Sequence, residues 1–223
     1  GCPRGMYGDV ESAVNVQLGC KHCISGRYSD DEHVFEALLK DNVYCKQCPR
    51  GRWSSMKGIT KESLCKNCGA GLYSVTDAAN DVDYCLNCRQ GTYSEGVGVA
   101  GEEKCLLCPT GFSQPKNGSA YCLPCTPGKV SPITGTPMCV ACEENNFSND
   151  TALLVCTACP AGWVAPASSA SCQQCGAGKY QNAAITNRCE ECPINSYADK
   201  SSNTDNIINL LFDVFSTRRV FLI

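Results

Sequence analysis

The sequence predicts small disulfide-rich repeats: an elongated linear array of short β-hairpin and turn units with little regular secondary structure and one short helix near residues 30–40. Three observations predict this class. Cysteine makes up 21 of 223 residues, the share of a disulfide scaffold rather than of a chain with a conventional apolar interior. The first cysteines of successive CxxC pairs fall at 20, 45, 65, 85, 105, 122, 139, 156, 172 and 189. The steps are 25, then 20 three times, then 17, 17, 17, 16 and 17, and near-constant steps of this size mark a linear array. Finally, the third residue after each second cysteine is Gly5, Gly26, Gly51, Gly71, Gly91, Gly111, Gly128, Gly162 or Gly178, and twice it is asparagine, Asn145 and Asn195. These are the two residues that best accept a positive φ, so the slot predicts a left-handed turn after the cysteine.

The elements follow in order. The chain starts inside a repeat, because "CPRGMYG" from Cys2 matches "CPRGRWS" from Cys48, and any secretion signal is expected outside this piece. The 25-residue step carries "SDDEHVFEALLKDN". There Ser29 and Glu32 form a capping box, Val34, Phe35, Leu38 and Leu39 an apolar stripe, and Lys40 sits in the last turn, which predicts the one short helix. The stripe covers the neighbouring repeat or faces a partner. Elsewhere the intervals between cysteines leave room for hairpins and turns only. Three segments result: repeats of about 20-residue period over 1–104, repeats of about 17-residue period over 105–199, and a non-repeat apolar tail over 200–223. The tail is broken by Asp213, Arg218 and Arg219 and does not read as a membrane span.

Two residues beyond the glycine slot comes Tyr7, Tyr28, Trp53, Tyr73, Tyr93, Phe147, Tyr180 or Tyr197, with Val130 filling it once and Phe112 and Trp163 one residue early. A small or polar residue usually follows, and Tyr44, Tyr84 and Tyr121 precede a CxxC. The expectation is that each ring lies against its own repeat's bridge, giving a core of one ring and one disulfide; exposed rings binding a ligand are the alternative.

The CxxC pairs admit three readings. Structural disulfides fit an unbroken array with a glycine-aromatic slot that metal coordination does not require. Zinc fits the spacing and the knuckle-like "CKNCG", but the only histidines are His22 and His33. Thioredoxin-like redox chemistry needs one such motif at the start of a helix. Under the disulfide reading, bridging within each CxxC leaves the long loops free. Bridging the second cysteine of one pair to the first of the next closes loops of similar size. The latter scheme gives Cys2–Cys20, Cys23–Cys45, Cys48–Cys65, Cys68–Cys85, Cys88–Cys105, Cys108–Cys122, Cys125–Cys139, Cys142–Cys156, Cys159–Cys172 and Cys175–Cys189, with Cys192 unpaired.

Three N-glycosylation sequons, at Asn117, Asn146 and Asn149, agree with an oxidising compartment. Asp77, Asp81 and Asp83 form an acidic loop that lacks the glycine of a calcium loop. No phosphate-cradling glycine loop and no serine elbow occurs, so no enzyme, cofactor or resident metal is expected. A net charge of −3 with pI ≈ 5.4 argues against a nucleic-acid partner. Membrane attachment is expected only through regions outside this chain.

The runs "CLNCRQGTYS", "CKNCGAGLYS" and "CKQCPRGRWS" resemble the cysteine-rich repeats called ephrin-receptor-like, and also look like the first half of the modules of tumour-necrosis-factor receptors. The resemblance covers residues 1 to about 199. It implies a disulfide-laddered extracellular rod of the kind found in receptor ectodomains and secreted or surface proteins. The additional cysteines of the receptor modules' second half are missing, so cytokine binding is not carried over, and no kinase motif is present. The function expected is that of an extracellular spacer or structural segment. The alternatives are a receptor or adhesion module that binds a protein ligand through its loops and, more distantly, a zinc-binding array. The partners this implies are a protein ligand or lateral self-association.

Overall fold

The computed structural model describes residues 2–8, 19–31, 45–181, 188–194, 196–197 and 208–209. The helix expected near residues 30–40, His33, Tyr44 and Asn195 lie outside them. The described residues fold into eleven two-stranded antiparallel sheets, each a hairpin of adjacent strands. Most strands are two residues long, because each repeat pairs only the residues after its glycine slot with the inner residues of the next CxxC. Trp53 faces Lys66 and Tyr73 faces Leu86 in this way. Among the described residues, helix is limited essentially to three 3₁₀ turns, Glu62–Leu64, Val82–Tyr84 and Glu102–Lys104, each placed just before a first cysteine.

The chain divides into two compact units. In the first, Gly1–Pro124 with Ile133–Met138, the hairpins run from Met6–Gly8 paired with Cys20–His22 to Phe112–Ser113 paired with Leu123–Pro124. The second, Cys125–Pro132 with Cys139–Ile223, carries the hairpins from Lys129–Val130 onward. Inside each unit successive repeats share one bonding scheme. The N–H of each second cysteine donates to the glycine-slot carbonyl of the previous repeat, as in Cys68 to Gly51 at 2.8 Å and Cys142 to Gly128 at 2.9 Å.

The interior differs from the ring-and-bridge core that the sequence suggests. Most rings at the aromatic slot are half-buried; only Tyr28 and, in its place, Val130 are buried. What is fully enclosed is the second cysteine of most pairs and the residue three beyond the glycine slot: Ser29, Ser54, Ser74, Ser94, Gln114, Ser131, Ser148, Ala165 and Gln181, none more than 5% exposed. The reason is backbone geometry. The carbonyl of Ser74 accepts from Gly51 N–H at 3.0 Å, and its own N–H donates to Val99 O at 3.0 Å. A residue tied to the repeat on either side has its side chain inside the seam, where only a small or internally satisfied group fits. Ser54 and Ser74 satisfy their hydroxyls by accepting from Met56 and Thr76 N–H, which closes the following turn. Gln114 does so through Tyr121 O at 2.6 Å and Lys116 N–H at 3.0 Å.

Candidate functional site

The part of the molecule that organises everything else is the seam between repeats. Its first component is covalent. Ten disulfides, from Cys2–Cys20 to Cys175–Cys189, join the second cysteine of one pair to the first of the next. Sulfur bound to sulfur offers no thiolate to a metal. Cys192 carries the free thiol and is half-buried. Three bridges are asymmetric in their setting: Cys88, Cys108 and Cys125 are fully buried, whereas their partners Cys105, Cys122 and Cys139 are half-buried; in Cys23–Cys45 both cysteines are buried.

The second component, among the described residues, is a pair of left-handed residues in each repeat from the one with Gly51 to the one with Gly162. The glycine slot has φ between 60° and 84°, with Asn145 at 60°, as its composition predicts. A further left-handed residue, which the sequence reading missed, follows seven positions later: Gly58, Ala78, Gly98, Gly118, Gly135 and Ala152, with Ser168 at six. Its N–H donates to the second-cysteine carbonyl of the previous repeat, as in Ala78 to Cys48 at 2.9 Å and Gly98 to Cys68 at 2.8 Å. Four of these seven are glycine, and that spacing is the signal that sequence inspection had available.

The two slots also meet across repeats. A methyl group on Gly91 would overlap the carbonyl oxygen of Gly135, and one on Gly71 that of Gly118, so a side chain is excluded where repeats two apart touch. His22 packs against Gly58, as Asn67, Asn87 and Leu107 do against Gly98, Gly118 and Gly135. Apart from Tyr28, which is buried with Ile59 and the Cys48–Cys65 bridge, the described rings lie on the flanks of this seam. Phe112 and Trp163, one residue early, pair with Pro124 and Gln174, whereas Tyr73, Tyr93 and Phe147 pair with the first inner CxxC residue. The shift puts the two early rings on the opposite face of their hairpins.

Polar side chains decorate the seam's flanks. Lys46 is held by Asp30 at 2.6 Å and Asp31 at 3.2 Å. Donating to Asp30 and then to Asp31 raises the Lys46 ammonium, and accepting from Lys46 lowers the Asp30 carboxyl. These groups are exposed, and such pairs contribute little. Tyr28 donates to Glu62 at 3.3 Å, and the same carboxylate accepts from Arg52 at 3.0 Å; burial first, then Glu62, pushes the Tyr28 phenol up. Lys66 sits 5.1 Å from the centre of the Trp53 ring, a cation–π contact across the hairpin. Of the acidic loop, Asp77 pairs with Arg50 at 3.3 Å and Asp81 caps the 3₁₀ turn by accepting from Asp83 N–H at 3.1 Å. Among the described residues no group of three histidine, cysteine or acidic side chains is arranged to hold a metal ion. Also among them, no helix is long and apolar enough to cross a membrane. Asn117 and Asn149 are exposed and Asn146 is half-buried.

Residues 78–120 and 162–206 match the family model described as tyrosine-protein kinase ephrin type A/B receptor-like. Both segments are similar to ephrin-receptor-like cysteine-rich repeats. Each matched segment contains two consecutive CxxC pairs, Cys85 to Cys108 and Cys172 to Cys192. No curated protein matches the chain. An ephrin-receptor-like repeat is a receptor-type cysteine-rich module and not a catalytic fold, and the disulfide ladder belongs with an oxidising, extracellular setting.

Proposed function

We propose that this chain of ephrin-receptor-like repeats is an extracellular structural or spacer segment of a secreted or cell-surface protein. One observation carries the reading: the same seam of disulfide, glycine-slot and second-turn bonds recurs within both units whatever the side chains outside it. The conserved geometry is spent on joining repeat to repeat, and the variable side chains lie where they do not affect it. The test is the fate of the chain when secreted from eukaryotic cells with a leader. The expected product has one titratable thiol per chain, unchanged by a chelator, and loses its protease resistance in excess reductant. Ten or more thiols or bound metal in the native product, or full protease resistance after reduction, overturns the reading.

A second reading, a module that binds a protein or a second copy sideways, is favoured by one observation. The inner CxxC residues Leu86, Leu106, Leu107 and Leu123 are apolar yet 44–55% exposed, where the equivalent residues earlier in the chain are Lys46 and Lys66 at the first inner position and Gln47 and Asn67 at the second. Sedimentation of the chain with Leu106 and Leu107 both changed to serine separates the two: a concentration-dependent association that this variant abolishes favours binding.

A further inference from the structure

We propose that the folded chain is an acceptor for N-linked carbohydrate at Asn117 and Asn149, and that folding closes the third sequon, at Asn146. The proposal rests on the extracellular reading for its biological setting, but the geometry that separates the sites does not.

In the transfer, the side-chain Nδ2 attacks the anomeric carbon of a lipid-linked oligosaccharide diphosphate. The carbon–oxygen bond to the diphosphate breaks, the lipid diphosphate leaves, and Nδ2 gives up one proton. The acceptor segment must present both Nδ2 and the hydroxyl two residues on.

Asn117 meets these needs. It is exposed and immediately precedes left-handed Gly118. Its Oδ1 accepts from the Gln90 N–H at 2.9 Å. A backbone donor must face an oxygen, so this bond fixes which way the amide lies and turns Nδ2 away from the seam. The hydroxyl of Ser119 stays within the same exposed turn, donating to Lys116 O at 3.4 Å. Asn149 is exposed in the turn that leads to Ala152, and the Thr151 of its sequon is exposed as well.

Asn146 does not meet them, although it lies only three residues from Asn149. It sits in the strand Asn146–Phe147, paired with Thr157–Ala158. Its Nδ2 donates to Glu144 O at 3.1 Å, and reversing the amide would set oxygen against oxygen. The hydroxyl of its sequon belongs to Ser148, which is 1% exposed. That hydroxyl accepts from Gly128 N–H at 2.9 Å and donates to Lys129 O at 3.3 Å. The residue that completes this sequon is therefore one of the seam residues, and it cannot serve a transferase while the seam is closed.

The experiment offers purified oligosaccharyltransferase and a lipid-linked oligosaccharide to the full chain in two states, oxidised and folded, or reduced and alkylated, with site occupancy read by glycopeptide mass spectrometry. The folded chain is expected to accept at Asn117 and Asn149 and not at Asn146, and the reduced chain at all three. N146Q then leaves the folded pattern unchanged, whereas N117Q and N149Q each remove one glycan. Occupancy of Asn146 in the folded chain, a bare Asn117 or Asn149 there, or a bare Asn146 in the reduced chain overturns the proposal. Because the transfer is made outside the cell, a failure here leaves the thiol count that tests the extracellular reading untouched.

Discussion

Repeats closed by bridges of sequence separation 17, Cys48–Cys65, Cys68–Cys85 and Cys88–Cys105, differ from those of separation 14, Cys108–Cys122, Cys125–Cys139 and Cys142–Cys156. The first three each contain a 3₁₀ turn of three residues that the others lack. In both groups the second left-handed residue comes seven positions after the glycine slot. From there the closing cysteine is seven residues on in the long repeats, as from Ala78 to Cys85, and four in the short ones, as from Ala152 to Cys156. The lesson is that length varies only in the 3₁₀ turn, whose backbone makes no bond to a neighbouring repeat. Across these six repeats the period changes while the spacing between the two left-handed residues stays at seven.

The largest effect that bears on this comparison comes from the seam itself. Gly91→Ala adds a methyl against the Gly135 carbonyl at a positive φ and is expected to cost roughly 3–5 kcal/mol. Gly178→Ala, at a similar φ but with no described residue within 4 Å of the added methyl, should cost only about 1–2 kcal/mol. Equal losses in denaturant titrations of the two variants would show that the contact between alternate repeats is unimportant. Next come the bridges. Replacing both cysteines of Cys68–Cys85 or of Cys142–Cys156 with alanine should cost roughly 3 kcal/mol in either case, since loop closure differs by only about 0.2 kcal/mol between the two lengths. A long-repeat variant that loses far less than the short-repeat one would give the 3₁₀ turn a stabilising part of its own.

Smaller effects sharpen the picture. Ala78→Gly and Ala152→Gly relieve left-handed alanines at φ 58° in a long and a short repeat, and each should stabilise by about 1 kcal/mol; thermal melts giving opposite signs would break the equivalence of the two turns. Smallest of all, deleting Val82–Tyr84 turns a long repeat into a short one. It should change stability by no more than about 1 kcal/mol, with the far-UV spectrum and thiol count unchanged. Collapse of the fold would mean that the insert is part of the seam after all.

Much of the fold was legible in the sequence because its signals recur. The CxxC register, the hairpins and the left-handed glycine slot all follow from residue types that have few other reasons to repeat. The interior was not legible, for a physical reason. Serine is ordinarily a surface residue, so nothing in the composition marks Ser29, Ser54 or Ser74 as among the most enclosed side chains of their repeats. They are enclosed because their backbone bonds run to two different neighbours, and that is a tertiary fact. The second left-handed turn was half visible, through Gly58, Gly98, Gly118 and Gly135, and hidden where Ala78, Ala152 and Ser168 adopt the same conformation at some cost. The aromatic slot misled because its recurrence suggested burial, whereas the described rings other than Tyr28 sit on the flank and two of them, Phe112 and Trp163, face the other way.

The overlap of Gly71 with the Gly118 carbonyl, and of Gly91 with that of Gly135, has an effect on how damage spreads. In an array where units touch only adjacent units, a reduced bridge or a nicked turn leaves everything beyond its immediate neighbours intact. Here each unit also leans on the one after next, so loss of one loosens two on either side and then dies out. Ageing or proteolysis of such a chain should therefore proceed in blocks several repeats long, neither unit by unit nor all at once.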